Sequence, residues 1–272
     1  MPELPEVETV VRGLQETVTG REITSVKVFR DTPIAPLNPK TFEKRLAGRS
    51  IQSVTRRAKY LVFQFDPGLY LLAHLRMTGK FIVSPLISKP EKHHRVWFFL
   101  DKDIVMVFDD MRCFGTLELI ESLTDCNKLR LLGVEPLSSS LTVPYLKKCI
   151  AHSSSNIKNL LLNQTKIAGI GNIYASEILF DAQISPLRQG CQLKAKELRK
   201  VIDSTQKILT TAIQKNGTSI SDFRRIDEQT GEFQNFLNVY GKAEQPCPRC
   251  SVPIQRIVQQ QRSSFYCASC QQ

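Results

Sequence analysis

Residues 50–84 read SIQSVTRRAKYLVFQFDPGLYLLAHLRMTGKFIVS. Within this stretch SIQSVTRR, YLVFQF, GLYLLAHL and GKFIVS are rich in β-branched and aromatic residues, tend to a period of two, and are separated by short breaks such as DPG. Three more runs follow, RVWFFL (95–100), DIVMVF (103–108) and GTLELI (115–120), the first two separated by DKD. The region from about 22 to 120 therefore reads as an antiparallel β-sandwich or barrel.

Outward from this block the period changes to that of helices. Upstream, in MPELPEVETVVRGL, Val7, Val10, Val11 and Leu14 fall at i, i+3, i+4 and i+7, which predicts an amphipathic helix from residue 5 to about 18. Pro5 and Glu6 suit its first turn, where a missing N–H costs nothing and an anion meets the positive end of the helix dipole. Downstream, TVPYLKKCIAHS, NIKNLLLNQ, NIYASEILFDA and LKAKELRKVIDSTQKILTTAIQKNG read as helices to about residue 216, the last ending on a glycine stop. GTSISDFRRIDEQTGEF then reads as a long loop, a length usually tied to function or disorder.

At 272 residues the chain fits two domains, or two plus a small module. It is 42% hydrophobic and 23% charged, with no apolar run near the ~20 residues that span a bilayer and an acidic start unlike a signal peptide. This reads as an intracellular globular protein with no membrane partner. Lys and Arg number 37 against 26 acids, a formal charge of +11, as expected of a nucleic-acid binder.

Four of the eight cysteines, Cys247, Cys250, Cys267 and Cys270, form C-x2-C, sixteen residues, C-x2-C, while Cys113, Cys126, Cys149 and Cys191 are scattered. Two such knuckles hold one tetrahedral zinc per chain, and with all four positions filled by cysteine the ion is structural. The intervening QRIVQQQRSSFY predicts a hairpin with Arg262 near its tip, a phosphate-binding device. In TKIAGIGNIYASEILF, Gly169-x-Gly171 lacks a third glycine and follows a helix where a dinucleotide fingerprint requires a strand. What remains is helix, turn, helix with Asn172 at the N-cap, an end that can seat a phosphate.

MPELPEVETV, RRAKYL, HLRMTGKF, GIGNIYASEILF, VYGK and the terminal cysteines occur together in this order, and in this the whole chain resembles the formamidopyrimidine-DNA glycosylases, bacterial enzymes that excise oxidised purines. The resemblance implies an α+β fold. It consists of an N-terminal antiparallel β-sandwich flanked by helices (1–130), a helical domain with a helix-two-turn-helix element (131–240) and a zinc-finger β-hairpin (241–272), with duplex DNA carrying oxidised bases held in the cleft between the domains. It further implies glycosylase and abasic-site lyase activity in base excision repair through a Schiff base at an N-terminal proline, followed by β,δ-elimination. The expected protein is a monomer in the bacterial cytoplasm, associated with the nucleoid.

The chemistry suits the residues. With the initiator Met trimmed, as is usual ahead of a small residue, Pro2 becomes the terminus. An α-amino group titrates near 7.7–8 against about 10.4 for lysine, so about a tenth of it is an unprotonated nucleophile at pH 7. By the resemblance Pro2 is that nucleophile and Glu3 the general acid and base. Glu6 reads as an orienting or structural carboxylate. Lys59, which spacing alone makes a solvated hairpin lysine, becomes a phosphate or base contact and an acid in β-elimination; Arg262 becomes the phosphate clamp associated with δ-elimination. His93, Lys158, Asn172, Tyr240 and Lys242 are implied DNA contacts, although Tyr240 equally suits packing. Met77 and Phe114, which could simply cap the sandwich, match the wedge that fills the gap left by a flipped base, with Arg112 facing the orphaned cytosine.

The chain departs from the family pattern at DDMRCFG, where Met111 and Cys113 replace Pro and a second Arg, at Ser153 in place of a basic residue, and at Asn216-Gly217 in place of a Gly pair. These bear on opposite-base and lesion preference more than on catalytic class. Two other readings stay open: a glycosylase of this fold favouring oxidised pyrimidines or ring-opened purines over 8-oxoguanine, and a non-enzymatic protein that grips damaged DNA, which has no use for a free proline terminus.

Overall fold

The computed structural model describes residues 1–85, 89–151, 153–219 and 231–272. Most of the polar stretch expected as a long loop, and His152 at the end of one helical pattern, lie outside these residues. The chain divides into two compact units, the first taking in Met1–Arg130 and the described part of Lys215–Glu232, the second Leu131–Gln214 and Phe233–Gln272. Among the described residues no helix is long and apolar enough to cross a membrane.

In the first unit, α1 (Leu4–Val18) is followed by β1 (Glu22–Val28), α2 (Pro39–Leu46), β2 (Arg49–Arg57), β3 (Tyr60–Phe65), β4 (Leu69–His74), β5 (Gly79–Pro85), β6 (His94–Leu100), β7 (Ile104–Asp110), β8 (Thr116–Ile120) and the single turn α3 (Asn127–Arg130). The strands pair antiparallel in the order β5-β7-β6-β1-β2-β3-β4-β8. The β1–β2 join is short, with Glu22 opposite Ser50 and Ile23 opposite Arg49. Phe81 on β5 and Phe63 on β3 stand five strands apart, about 24 Å in a flat sheet, yet their ring centroids lie 5.4 Å apart. The sheet therefore folds over at the β1–β2 join into two four-stranded layers face to face, the expected sandwich. The core between them takes Val26, Phe98 and Phe108 from one layer and Val54, Leu71 and Leu117 from the other, with Val7, Val10, Val11 and Leu14 of α1 and Phe42 and Leu46 of α2. Helix α2 was not legible in the strand pattern; its start is set by Pro39 in the first turn and Asn38, whose side chain accepts from Thr41 N at 2.9 Å.

The second unit holds α4 (Val143–Ile150), α5 (Ile157–Leu162), α6 (Asn172–Ala182), α7 (Ala195–Gln214) and the hairpin β9 (Gln255–Gln259) and β10 (Arg262–Tyr266). Leu160, Leu161, Tyr174, Ile178, Val201 and Leu209 lead a common helical core. The turn between α5 and α6 is braced by Gln164, whose amide donates to Leu162 O and Ile170 O while its oxygen accepts from Gly169 N at 2.9 Å. Asn172 is not the N-cap of α6 as expected: Gly171, in extended backbone, takes that place and Asn172 is the first helical residue. Its side chain is thereby released for the contact described below.

Candidate functional site

The N-terminus of α1 is fixed by two carboxylates. Glu3 is its N-cap and forms a reciprocal capping box with Glu6, whose Oε2 accepts from Glu3 N at 2.8 Å. Glu6 Oε1 accepts from Thr218 N at 2.8 Å. One carboxylate thus pins the start of the chain to residue 218, at the edge of the undescribed stretch. Pro2, Glu3 and Glu6 are all buried. Asn216, in place of the family's glycine, sits at φ 57, a left-handed backbone that asparagine tolerates.

Lys59 does not behave as a solvated hairpin lysine. It lies in the β2–β3 turn beside Ala58, which has φ 53, and only 6% of it is exposed. Nearby His74, which sequence reasoning missed, is pushed down to about 3 by burial, helped by the positive charges of Arg76 and Lys59. Its neutral Nδ1 accepts from Arg76 N at 3.0 Å, and Tyr60 packs edge-on against its ring.

Met77, Arg112 and Phe114 come together in kind: all three are exposed, on turns at the start of β5 and the end of β7. The Arg112 guanidinium lies over the Phe114 ring, 4.8 Å from its centroid. Behind them is Asp110, fully buried and not anticipated from sequence. Its Oδ1 accepts from the Thr78 hydroxyl at 2.5 Å and from Arg112 N at 3.2 Å, and its Oδ2 from Gly115 N at 2.7 Å. His93 is half-buried; its ring meets the Arg95 guanidinium at 3.3 Å, and its carbonyl accepts from Asp110 N.

In the second unit Arg262 stands exposed at the start of β10, straight after a two-residue turn in which Gln260 and Gln261 both have positive φ. Lys158, expected to grip DNA, is instead fully buried: its Nζ donates to Ser263 O at 2.9 Å and Ser264 Oγ at 2.7 Å. Asn172 Nδ2 donates to the same Ser263 carbonyl at 2.9 Å. Both residues hold the strand beside Arg262. Tyr240 packs edge-on against Phe265, and Lys242 Nζ donates to Leu237 O. Their turn is organised by fully buried Glu177, which accepts from the backbone N–H groups of Asn238, Val239 and Tyr240, each at 2.9 Å. A charged residue inside the apolar run of α6 was the available sequence signal for Glu177, since such a charge must be paired.

The four cysteines of the finger have ligand atoms within 4.8 Å of one another, with Cys247 Sγ 3.9 Å from Cys270 Sγ and Cys250 Sγ 3.4 Å from Cys267 Sγ. Sulfurs ~2.3 Å from a tetrahedral zinc lie about 3.8 Å apart, so the donors fit one structural ion with no position left for water. The backbone N–H of Val252 beside Cys250 lowers its thiol to about 7, towards the thiolate that metal binding requires.

Comparisons with known proteins agree along the whole chain. The model of the formamidopyrimidine-DNA glycosylase N-terminal domain matches residues 1–117, that of the H2TH domain residues 132–224, and that of the zinc finger found in FPG and IleRS residues 244–272. The formamidopyrimidine-DNA glycosylase of Lactiplantibacillus plantarum is 40% identical over 269 residues, 98% of each chain. The wild-type Lactococcus lactis Fpg in complex with DNA containing N7-benzyl-Fapy-dG is 36% identical with a TM-score of 0.93, covering 100% of both chains. The same organism's Fpg with abasic-site DNA is 35% identical, with a TM-score of 0.92 over 99% of each.

Proposed function

Because the chain belongs to the formamidopyrimidine-DNA glycosylase family, we propose that the buried terminus at Pro2 and Glu3 is the centre of its chemistry. The chain is a DNA glycosylase of base excision repair that acts on oxidised purines, and abasic-site lyase activity is typical of its family. The observation that carries the residue assignment is the pinned start of α1: Glu6 fixes Glu3 N and Thr218 N at once, so Pro2 and Glu3 are held in place before DNA arrives.

With Met1 removed, Pro2 offers a secondary amine. Its lone pair forms a bond to the sugar C1′ while the C1′–N9 bond breaks, and the base leaves with those electrons and takes up the proton that the Pro2 nitrogen sheds on becoming a tertiary amine. Glu3 protonates the ring oxygen, which opens the sugar and leaves an iminium cation. Loss of a C2′ proton then expels the 3′ phosphate, and a second elimination expels the 5′ phosphate. Lys59 serves as phosphate contact and acid in the first elimination. Arg262 clamps phosphate for the second. Met77 and Phe114 fill the step vacated by the flipped nucleotide, and the donor fork of Arg112 matches the acceptors of an orphaned cytosine. His93, Tyr240 and Lys242 add backbone contacts, and Lys158 and Asn172 act by holding Arg262. In this reading residues 1–130 carry the chemistry, 131–240 the helical DNA grip and 241–272 the finger, in a protein of the bacterial cytoplasm working on the nucleoid. Zinc, when bound, folds the finger and takes no part in the bond changes.

Borohydride reduction tests the assignment, because it converts the iminium to a stable covalent link. On an 8-oxoguanine:cytosine duplex the Met1-free protein is expected to be trapped through Pro2. A form extended by one N-terminal residue should bind the duplex and trap none of it; equal trapping by both forms refutes the Pro2 assignment.

A further inference from the structure

Asp110 makes no use of its charge at the surface. Fully buried, it spends both oxygens on three hydrogen bonds, and those bonds join two turns that are 32 residues apart in the chain. Strand pairing brings the turns together: Gly79, the first residue of β5, is the register partner of Asp110, the last of β7. Met77 sits two residues before Gly79, and Arg112 and Phe114 follow Asp110. The Thr78 hydroxyl is the link. It donates to Asp110 Oδ1 at 2.5 Å and accepts from Arg112 N at 3.0 Å, so a single side chain from the Met77 turn caps the backbone of the Arg112 turn.

The turns around this link leave little room for adjustment. A Cβ at Gly115 would lie 2.6 Å from the Phe108 ring, and one at Gly79 would lie 2.6 Å from Leu75 O. Buried Arg95 holds the next layer, donating from Nε to Asp110 O at 2.7 Å and from Nη2 to Met111 O at 3.4 Å. Cys113, where the family pattern has arginine, occupies a left-handed φ of 55 within the same turn. The backbone on which Arg112 and Phe114 ride is therefore fixed on the carboxylate, carbonyl and hydroxyl sides, while their side chains stay exposed.

We propose that Asp110 and Thr78 are positioning residues that lock the Met77 turn and the Arg112–Phe114 turn into one rigid wedge, so that the three side chains enter the base stack as a unit. The inference rests on the wedge reading given above. An apolar side chain on a loose turn would yield to the closing stack, whereas one on a backbone tied to a buried carboxylate keeps its position and transmits the separation. Neither Asp110 nor Thr78 needs to touch DNA for this.

The test compares two substrates: an 8-oxoguanine:cytosine duplex, where a base must be flipped, and a pre-formed abasic site in single-stranded DNA, where none is. Thr78→Val keeps the shape of the side chain and removes the hydroxyl. It is expected to lower duplex excision about 10- to 100-fold, the loss set by hydrogen bonds to a charged group, and to leave single-strand cleavage within about twofold. The fluorescence rise of a 2-aminopurine placed beside the lesion should shrink in step. Thr78→Ser should restore both, and Asp110→Asn, which places an amide N–H against one of the three donors, should reproduce the Thr78→Val pattern. Met77→Ala and Arg112→Ala are run alongside. If these two lose duplex excision and Thr78→Val keeps it, the positioning role is overturned; equal loss by Thr78→Val on both substrates overturns it as well, because that marks a general effect on the fold. If Met77→Ala and Arg112→Ala leave duplex excision intact, the wedge reading falls and this proposal with it.

Discussion

In the first unit the groups assigned to bond-making lie inside the protein: Pro2 is buried, Glu3 is 3% exposed and Lys59 6%. In the second, Arg262 stands in solvent, and two fully buried charged residues, Lys158 and Glu177, lie behind the surfaces to which the contacts are assigned. The difference follows from what each group must do. A nucleophile and a proton carrier work best desolvated and held in one geometry. A phosphate clamp has to reach a charge that arrives from solvent, so its head is exposed and its precision is supplied from below. On the proposed assignment, burial at Pro2, Glu3 and Lys59 serves the reacting atoms, whereas at Lys158 and Glu177, as at Asp110 in the first unit, it serves the frame.

The comparison breaks most severely where the frame is removed. The finger has few buried apolar residues of its own, with Cys247, Ile254 and Cys267 packed against Phe180 and Val239. A two-stranded hairpin is marginal alone, so zinc supplies most of its folding energy. Cys250→Ser is expected to lose the ion, unfold the hairpin and weaken DNA binding about 100-fold or more, while the first unit stays folded. Trp97, the chain's one tryptophan and buried in the sandwich, reports on that unit separately. Unchanged DNA affinity in the zinc-free variant, or a shift in Trp97 emission, would contradict the division of labour.

Lys158 sharpens the comparison within the second unit. If it acts only through the hairpin, Lys158→Met should cost about tenfold in affinity by leaving Ser263 O and Ser264 Oγ short of a donor. Arg262→Ala should cost a similar factor, and the double variant should be no weaker than the worse single one, because the two changes remove one interaction. Additive losses in fluorescence-anisotropy titrations would mean that Lys158 meets DNA on its own.

How much of this was legible in the sequence depends on the range of the interaction. The sandwich strands, α7 and the four-cysteine finger announce themselves by local period or spacing, and Pro2, Glu3 and Arg262 by their place in recognisable motifs. Asp110 does not, because the bond that gives it meaning joins residues 32 positions apart, and Glu177 shows only as a charge inside an apolar run, its partners lying about 60 positions further on. The burial of Lys59, which spacing alone makes a solvated hairpin lysine, and of Lys158, implied as a DNA contact, is hidden for the same reason: it depends on the folded neighbourhood and leaves no local mark. Asn172 missed by one residue, since glycine and asparagine both suit a helix start. His74 carried no local cue at all, its properties set by strand pairing that brings Tyr60 directly opposite.

His74 gives an effect on stability alone and the finest test of the first unit's character. In the folded protein its imidazole titrates at about 3 because it is buried, with Arg76 and Lys59 adding like charge; in the unfolded chain it titrates near 6.5. Between those values the unfolded state binds a proton that the native state refuses, so stability falls as the pH drops below about 6.5 and rises as it is restored. For one group the loss between pH 7.5 and 5.5 is about 1.4 kcal/mol. His74→Asn keeps an acceptor for Arg76 N and has nothing to titrate. Urea unfolding at the two pH values, followed through Trp97, should therefore show the wild type losing about 1.4 kcal/mol more than the variant over this interval. An identical loss in both would mean that the imidazole takes up its proton in the folded state, and that the first unit does not hold a neutral, desolvated pocket beside Lys59.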